Sequence, residues 1–300
     1  MLIPKLLRHI RNDSHLKGIA PVCRMVPSVI LQNTYKDCDV AVKTLPIIAS
    51  DEAKADFMEE INFMKHLAYH PHLVCMLGIA TATCGQPCLV VEYCCNGDLL
   101  HYVRNNKQTF TEGTNAEFQI KNLVSLAWQI SDGLYYLNSK DIVHRDIAAR
   151  NILLDDSFVA KIGDFGLCRY ADHTIYHTRG GRLPLKWMAI ETLKTYEYSS
   201  KSDVWSFGVL LYEMFSLGDV PFPDVQPAEL IDHLDAGHRL IPPSLCPEAM
   251  AILMQKCWIS DPEDRISIKS IRDELSKMLE TSTEEYGYFK LKDDYYYKWQ

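Results

Sequence analysis

His144-Arg145-Asp146-Ile147-Ala148-Ala149-Arg150-Asn151 decides the reading of this chain, together with Asp164-Phe165-Gly166, which begins 18 residues after Asp146. Seven fixed letters of this kind would recur by chance on the order of once in 10⁹ positions. Short apolar runs flank the octet, and a glycine-containing loop region follows from Asp164. Upstream, Asp39 to Leu45 reads as a strand closed by Pro46, and Cys88 to Val91 as a second one. Between them Asp51 to Leu67 reads as a helix, with Asp51 and Glu52 in its first turn and Phe57, Ile61 and Met64 on one stripe. Asn96-Gly97-Asp98 marks a polar turn.

Downstream the pattern becomes helical. From about Glu117, Ile120, Leu123, Ala127, Ile130, Leu134 and Leu137 recur by threes and fours, a long buried seam. Lys201 to Leu217 is apolar nearly all round and belongs at the centre of a lobe, and two amphipathic segments run 246–257 and 266–279. Strands first and helices later predict an α+β chain with two lobes, a small sheet-rich N-terminal lobe with one helix and a larger, mainly helical C-terminal lobe.

The bulk numbers exclude more than they assign. Lys and Arg total 31 against 39 Asp and Glu, a net charge of −8, which argues against a nucleic-acid partner. The ten cysteines lack zinc-ligand spacing and read as reduced thiols. No apolar run reaches the ~20 residues that a bilayer crossing needs. Charge interrupts the N-terminus too early for a signal peptide.

The octet and Asp164-Phe165-Gly166 resemble the catalytic loop and metal-binding motif of eukaryotic protein kinases. The likeness extends from about Val40 to Met278 and includes Ala41-Val42-Lys43, Ser202 to Gly208, Cys257-Trp258 and Asp261 to Arg265. It implies the bilobal kinase fold, with residues 25–280 as the kinase domain (N-lobe to about 94, C-lobe 95–280). Residues 1–24 would be an extension or degenerate first strand, and 281–300 a flexible tyrosine-rich tail. Phosphoryl transfer runs through a loose transition state, so positioning and charge carry the catalysis. By the resemblance Asp146 would accept the substrate proton, with Arg150 beside it in the loop. Asn151 and Asp164 would hold Mg²⁺ by their oxygens. Lys43 would hold the ATP phosphates and be oriented by Glu60, which falls on the inward side of its helix. Glu59 is the alternative, about a third of a turn away. Ala41, Val91, Glu92, Cys94 and Leu153 would line the adenine pocket. Asp203 would brace the catalytic-loop backbone, and Glu191 would pair with Arg265.

Ala148-Ala149-Arg150 and Pro184-Leu185-Lys186-Trp187-Met188-Ala189 resemble tyrosine kinases rather than serine/threonine kinases. Glu92 to Leu100 and Arg182-Leu183-Pro184 are most similar to receptor kinases of the platelet-derived and fibroblast growth factor types, with only Lys107 to Ala116 where those often carry an insert. The resemblance implies tyrosine-bearing protein substrates. With the cysteines read as reduced thiols, the expected location is the cytoplasm, the inner face of the plasma membrane being the alternative. Tyr176 would be an activation-segment phosphosite or an exposed tyrosine. Tyr286, Tyr288, Tyr295, Tyr296 and Tyr297 would be docking sites for phosphotyrosine-reading adaptors or an unstructured aromatic tail.

Two departures stand out. Gly18 is the only glycine in residues 1–77, so the expected G-x-G-x-x-G loop is missing. In one register its positions are Pro27, Val29 and Gln32, in another Leu16, Gly18 and Pro21. Side chains there keep the backbone off the phosphates, and proline removes a donor. Ile190 also replaces the usual proline before Glu191, which is expected to loosen the activation-segment anchor. An active tyrosine kinase with a weakened ATP lid, a pseudokinase scaffold and a serine/threonine kinase are the competing readings.

Overall fold

Side chains alternate along the strand Val40–Thr44 (β3): Val40 and Val42 enter the core while Ala41 and Lys43 face the other side. The computed structural model describes residues 39–284 apart from 47, 83–85, 113–115 and 171–182, together with 7–8 and 16–17. β3 pairs antiparallel with β5 (Pro87–Glu92), setting Ala41 opposite Val91 and Lys43 opposite Leu89. The far side of β5 carries β4 (Met76–Ala82), with a register shift between Met76 and Gly78. The sequence reading missed this strand because Met-Leu-Gly-Ile-Ala-Thr-Ala has no alternation and three poor strand formers. Two-residue strands β1 (Leu7–Arg8) and β2 (Leu16–Lys17) complete the order β1-β3-β5-β4-β2.

Helix α1 (Asp51–His66) begins where the Ser50 hydroxyl accepts from Ala53 N at 3.2 Å, and acids in its first turn and bases in its last suit the dipole. Its inward face is Phe57, Glu60, Ile61 and Met64. The chain leaves β5 at Glu92 and enters the helical lobe through α2 (Leu99–Asn105), which the Asp98 carboxylate caps. The span Lys107 to Ala116, which stands where an insert was looked for, contains a further helix, α3 (Lys107–Glu112). Its buried Phe110 meets Tyr102 edge-on.

The expected seam lies in α4 (Ala116–Ser139), where Leu123, Ala127, Ile130, Leu134 and Leu137 are buried and Ile120 is half-buried. Two short ladders then frame the octet: β6 (Ile142–Val143) with β9 (Arg169–Tyr170), and β7 (Ile152–Leu154) with β8 (Ala160–Ile162). His144 to Asn151 therefore hangs between β6 and β7, and Asp164 between β8 and β9. After α5 (Ile190–Thr195) comes the buried helix α6 (Ser200–Phe215), started by a Ser199/Ser202 capping box. Following α7 (Leu230–Asp235), α8 (Glu248–Cys257) crosses α6 at Gly208. A Cβ there would stand 2.6 Å from Trp258 Nε1, so no larger residue fits. Finally α9 (Ile268–Glu284) lies along α4 and runs four residues into the stretch expected as tail.

Among the described residues no helix is long and apolar enough to cross a membrane. Both placements of the glycine-loop positions (apart from Leu16 in β2), Tyr176, Arg182 and the tail tyrosines lie outside the described residues.

Candidate active site

Lys43 is the meeting point of the two lobes. Its Nζ lies 2.7 and 2.8 Å from the two carboxylate oxygens of Glu60 on α1, and 3.1 Å from Asp164 Oδ1. Burial alone would push the ammonium's pKa down, but the Asp164 and Glu60 carboxylates outweigh it and hold the value above normal. Burial pushes Asp164 the other way, yet Lys43 keeps it below the usual carboxylate range. Glu60 rather than Glu59 reaches Lys43, as its place on the helix stripe predicted. Glu59 turns away to Arg169 at 2.9 Å.

Asp164 has left-handed backbone angles, φ 59° and ψ 70°, a conformation that aspartate tolerates. This turn separates two adjacent side chains. Asp164 stays half exposed, facing Lys43, while Phe165 is buried beneath α1 with its ring 5.8 Å from Phe63 and 5.7 Å from His144.

The catalytic-loop backbone is held from below. The Asp203 carboxylate accepts from His144 N at 2.7 Å and Arg145 N at 2.9 Å, the bracing role expected for it. Arg145 is left-handed, φ 71°, and the two bonds to Asp203 secure that costly turn. Asp146 N donates to His144 Nδ1 at 3.3 Å, so the imidazole proton belongs on Nε2, which faces the Gly163 carbonyl at 3.2 Å. Both Asp146 oxygens are aimed. One accepts from the Arg150 guanidinium, the other from Asn151 Nδ2 at 2.8 Å. Since the Asn151 amide nitrogen faces Asp146, its carbonyl oxygen is the atom left for a cation.

Asn151 and Asp164 thus offer a neutral and an anionic oxygen, and no described trio of His, Cys, Asp or Glu forms a metal cage. That donor set fits Mg²⁺, which keeps several waters and takes phosphate oxygens alongside one or two protein ligands.

Residues 22–275 match the protein tyrosine and serine/threonine kinase family. The chain belongs to the protein kinase family. It is also 49% identical over 261 residues to a Caenorhabditis elegans protein named "Putative tyrosine-protein kinase F09A5.2", covering 84% of this chain and 30% of that protein. The chain thus spans less than a third of the length of that relative.

The remaining expected pocket residues of the kinase domain divide by role. Ala41, Val91 and Leu153 are half-buried. Cys94 is buried, and its carbonyl accepts from Gly97 N at 3.2 Å. The Glu92 N–H is committed to the Cys75 carbonyl at 3.0 Å. Its side chain does something the sequence did not announce. Glu92 is buried against Lys161 at 3.1 Å and accepts from Cys75 N at 2.7 Å, while Lys161 also donates to the Pro71 carbonyl.

The Glu191–Arg265 pair is present and bidentate, 2.7 and 2.9 Å, with the Arg265 side chain fully buried. Ile190, beside that pair, is packed into the core at the first turn of α5. Two further groups were not anticipated. Glu213 on α6 accepts from Ala149 N and Trp187 Nε1, each at 2.9 Å. His70, His72, Asp132 and Arg272 form a cluster behind the cleft. A carboxylate within the apolar C-terminal half of α6 was the available signal for the first, whereas the second had none.

Proposed function

We propose that this kinase domain is catalytically active and transfers the γ-phosphoryl group of ATP to tyrosine hydroxyls of proteins. The observation that carries the reading is the simultaneous assembly of its charged groups. Lys43 bridges Glu60 and Asp164, and Asp146 is held by Arg150 and Asn151. In the reaction the tyrosine oxygen forms a bond to the γ-phosphorus, the bond from that phosphorus to the β,γ-bridging oxygen breaks, and Asp146 takes the phenol proton. Lys43 binds the α- and β-phosphates, while Asn151 and Asp164 would hold Mg²⁺, which would neutralise phosphate charge. Ala41, Val91 and Leu153 flank adenine, and Glu92 and Cys94 offer it backbone groups.

Tyrosine selectivity draws support from Ala148-Ala149-Arg150, from the Trp187 platform and from the name of the C. elegans relative. Signalling of the receptor-tyrosine-kinase type, with phosphotyrosine-reading adaptors as partners, belongs to the same reading. The missing glycine-rich loop favours a second one, a scaffold that binds nucleotide weakly and does no chemistry. Phosphate transfer from Mg-ATP to a mixed Glu/Tyr peptide separates the two. Transfer abolished by Asp146→Asn supports the enzyme; no transfer with nucleotide binding retained supports the scaffold, and transfer to serine peptides alone rejects tyrosine selectivity.

A further inference from the structure

Glu213 is 1% exposed and, with Asp203, is one of two buried carboxylates on α6. A buried carboxylate is stable only when donors satisfy it, and both donors here converge on one oxygen, Oε2. Ala149 N belongs to the catalytic loop and Trp187 Nε1 to the segment 183–188, so a single atom fixes the spacing between them. The Trp187 backbone is tied to the same helix, its carbonyl accepting from Ser206 Oγ at 2.7 Å. Over the face of the indole lies the Arg150 guanidinium, 4.6 Å from the ring centroid, and that guanidinium donates to Asp146.

We propose that Glu213 is a positioning residue for phosphoryl transfer, acting through the Trp187 indole and the Arg150 guanidinium to aim the Asp146 carboxylate. The inference rests on the active-kinase reading above. Arginine has a long side chain with many rotamers, and a flat indole beneath the guanidinium restricts it to one plane. Asp146 is thereby oriented from two directions, through Asn151 in its own loop and through Arg150 from the buried helix α6. Lys43 and Asp164 lie outside this chain of contacts, so disturbing it should alter turnover and spare nucleotide binding.

The test is steady-state transfer to the Glu/Tyr peptide by the full chain, with kcat and the KM for ATP measured separately. Trp187→Phe removes the N–H and weakens the stacking; Glu213→Leu removes the acceptor. Each is expected to lower kcat about tenfold and leave the KM for ATP within about twofold. The double variant should be no worse than the poorer single one, because both cut the same chain. Glu213→Gln keeps a carbonyl oxygen for both donors and should recover to within about threefold of the wild-type kcat. A Trp187→Phe protein with unchanged kcat, a KM for ATP that rises in step, or losses that multiply in the double variant would each overturn the proposal. Should Glu213→Leu not fold, Trp187→Phe alone decides. A wild-type chain without transfer overturns the functional reading and this inference together, which distinguishes that failure from the others.

Discussion

Glu59 and Arg169 face each other at 2.9 Å, one on α1 and the other on β9, just beyond Asp164-Phe165-Gly166. Neighbouring acids on one helix thus take two cations, and both contacts hold α1 inward. The Glu59 carboxylate is largely exposed, so the pair is screened by water and salt. Glu59→Lys should reduce kcat/KM by about two- to fivefold, and the swap Glu59→Arg with Arg169→Glu should restore most of it. An unchanged rate in Glu59→Lys at low salt would remove the pair from the account of how α1 is held.

Asp146→Asn keeps the shape of the side chain while removing the base. We expect transfer to drop by about 10²–10⁴-fold with the thermal midpoint unchanged. Steady-state rates and a melting curve on the same sample check both halves.

Lys161 and Glu92 form a deeply buried ion pair, their side chains 5% and 7% exposed. Removing one member strands the other charge. Lys161→Met alone should cost about 3–5 kcal/mol of stability, while Lys161→Met with Glu92→Gln should lose much less. Denaturant titrations of the two variants decide it; equal losses would mean that the charge is not the issue.

His70 and His72 supply the pH dependence. Burial lowers their pKa values to about 3 and about 4, with Lys161 pushing the same way on both and Arg272 on His70. On His72 the hydrogen bond to the Ala160 carbonyl pulls the other way. Both imidazoles are neutral in the folded chain at pH 7, whereas in the unfolded chain they take up protons as pH falls through about 6.5. The unfolded state therefore binds more protons between about 6.5 and the folded values. Stability should be complete above that window and fall with acidification by up to about 1.4 kcal/mol per pH unit for each histidine. Replacing both by Asn should flatten the slope of unfolding free energy between pH 6.5 and 5, and an unaltered slope would reject the assignment.

How far these features could be read in advance depended on whether chemistry or topology specified them. The octet and Asp164 were legible because phosphoryl transfer needs those side chains at that spacing. Glu60 was separable from Glu59 because helical periodicity places only one of them beside Phe57 and Ile61. Partners distant in sequence were another matter. Glu213 meets Ala149 across 64 positions, and Glu92 meets Lys161 through a contact that only the packed lobes create. β4 was missed for lack of alternation, and α3 because its six residues are too few to show a helical period.

Held by an acid from each lobe, the Lys43 ammonium already has the neighbours that a triphosphate would supply or displace. On the proposed reading, a phosphate oxygen arriving at Nζ trades places with Asp164, whose charge is freed for the cation travelling with the nucleotide. Entry would then be an exchange of ions rather than the filling of a hole. Adenosine, lacking anything to trade, would leave the bridge between the lobes intact.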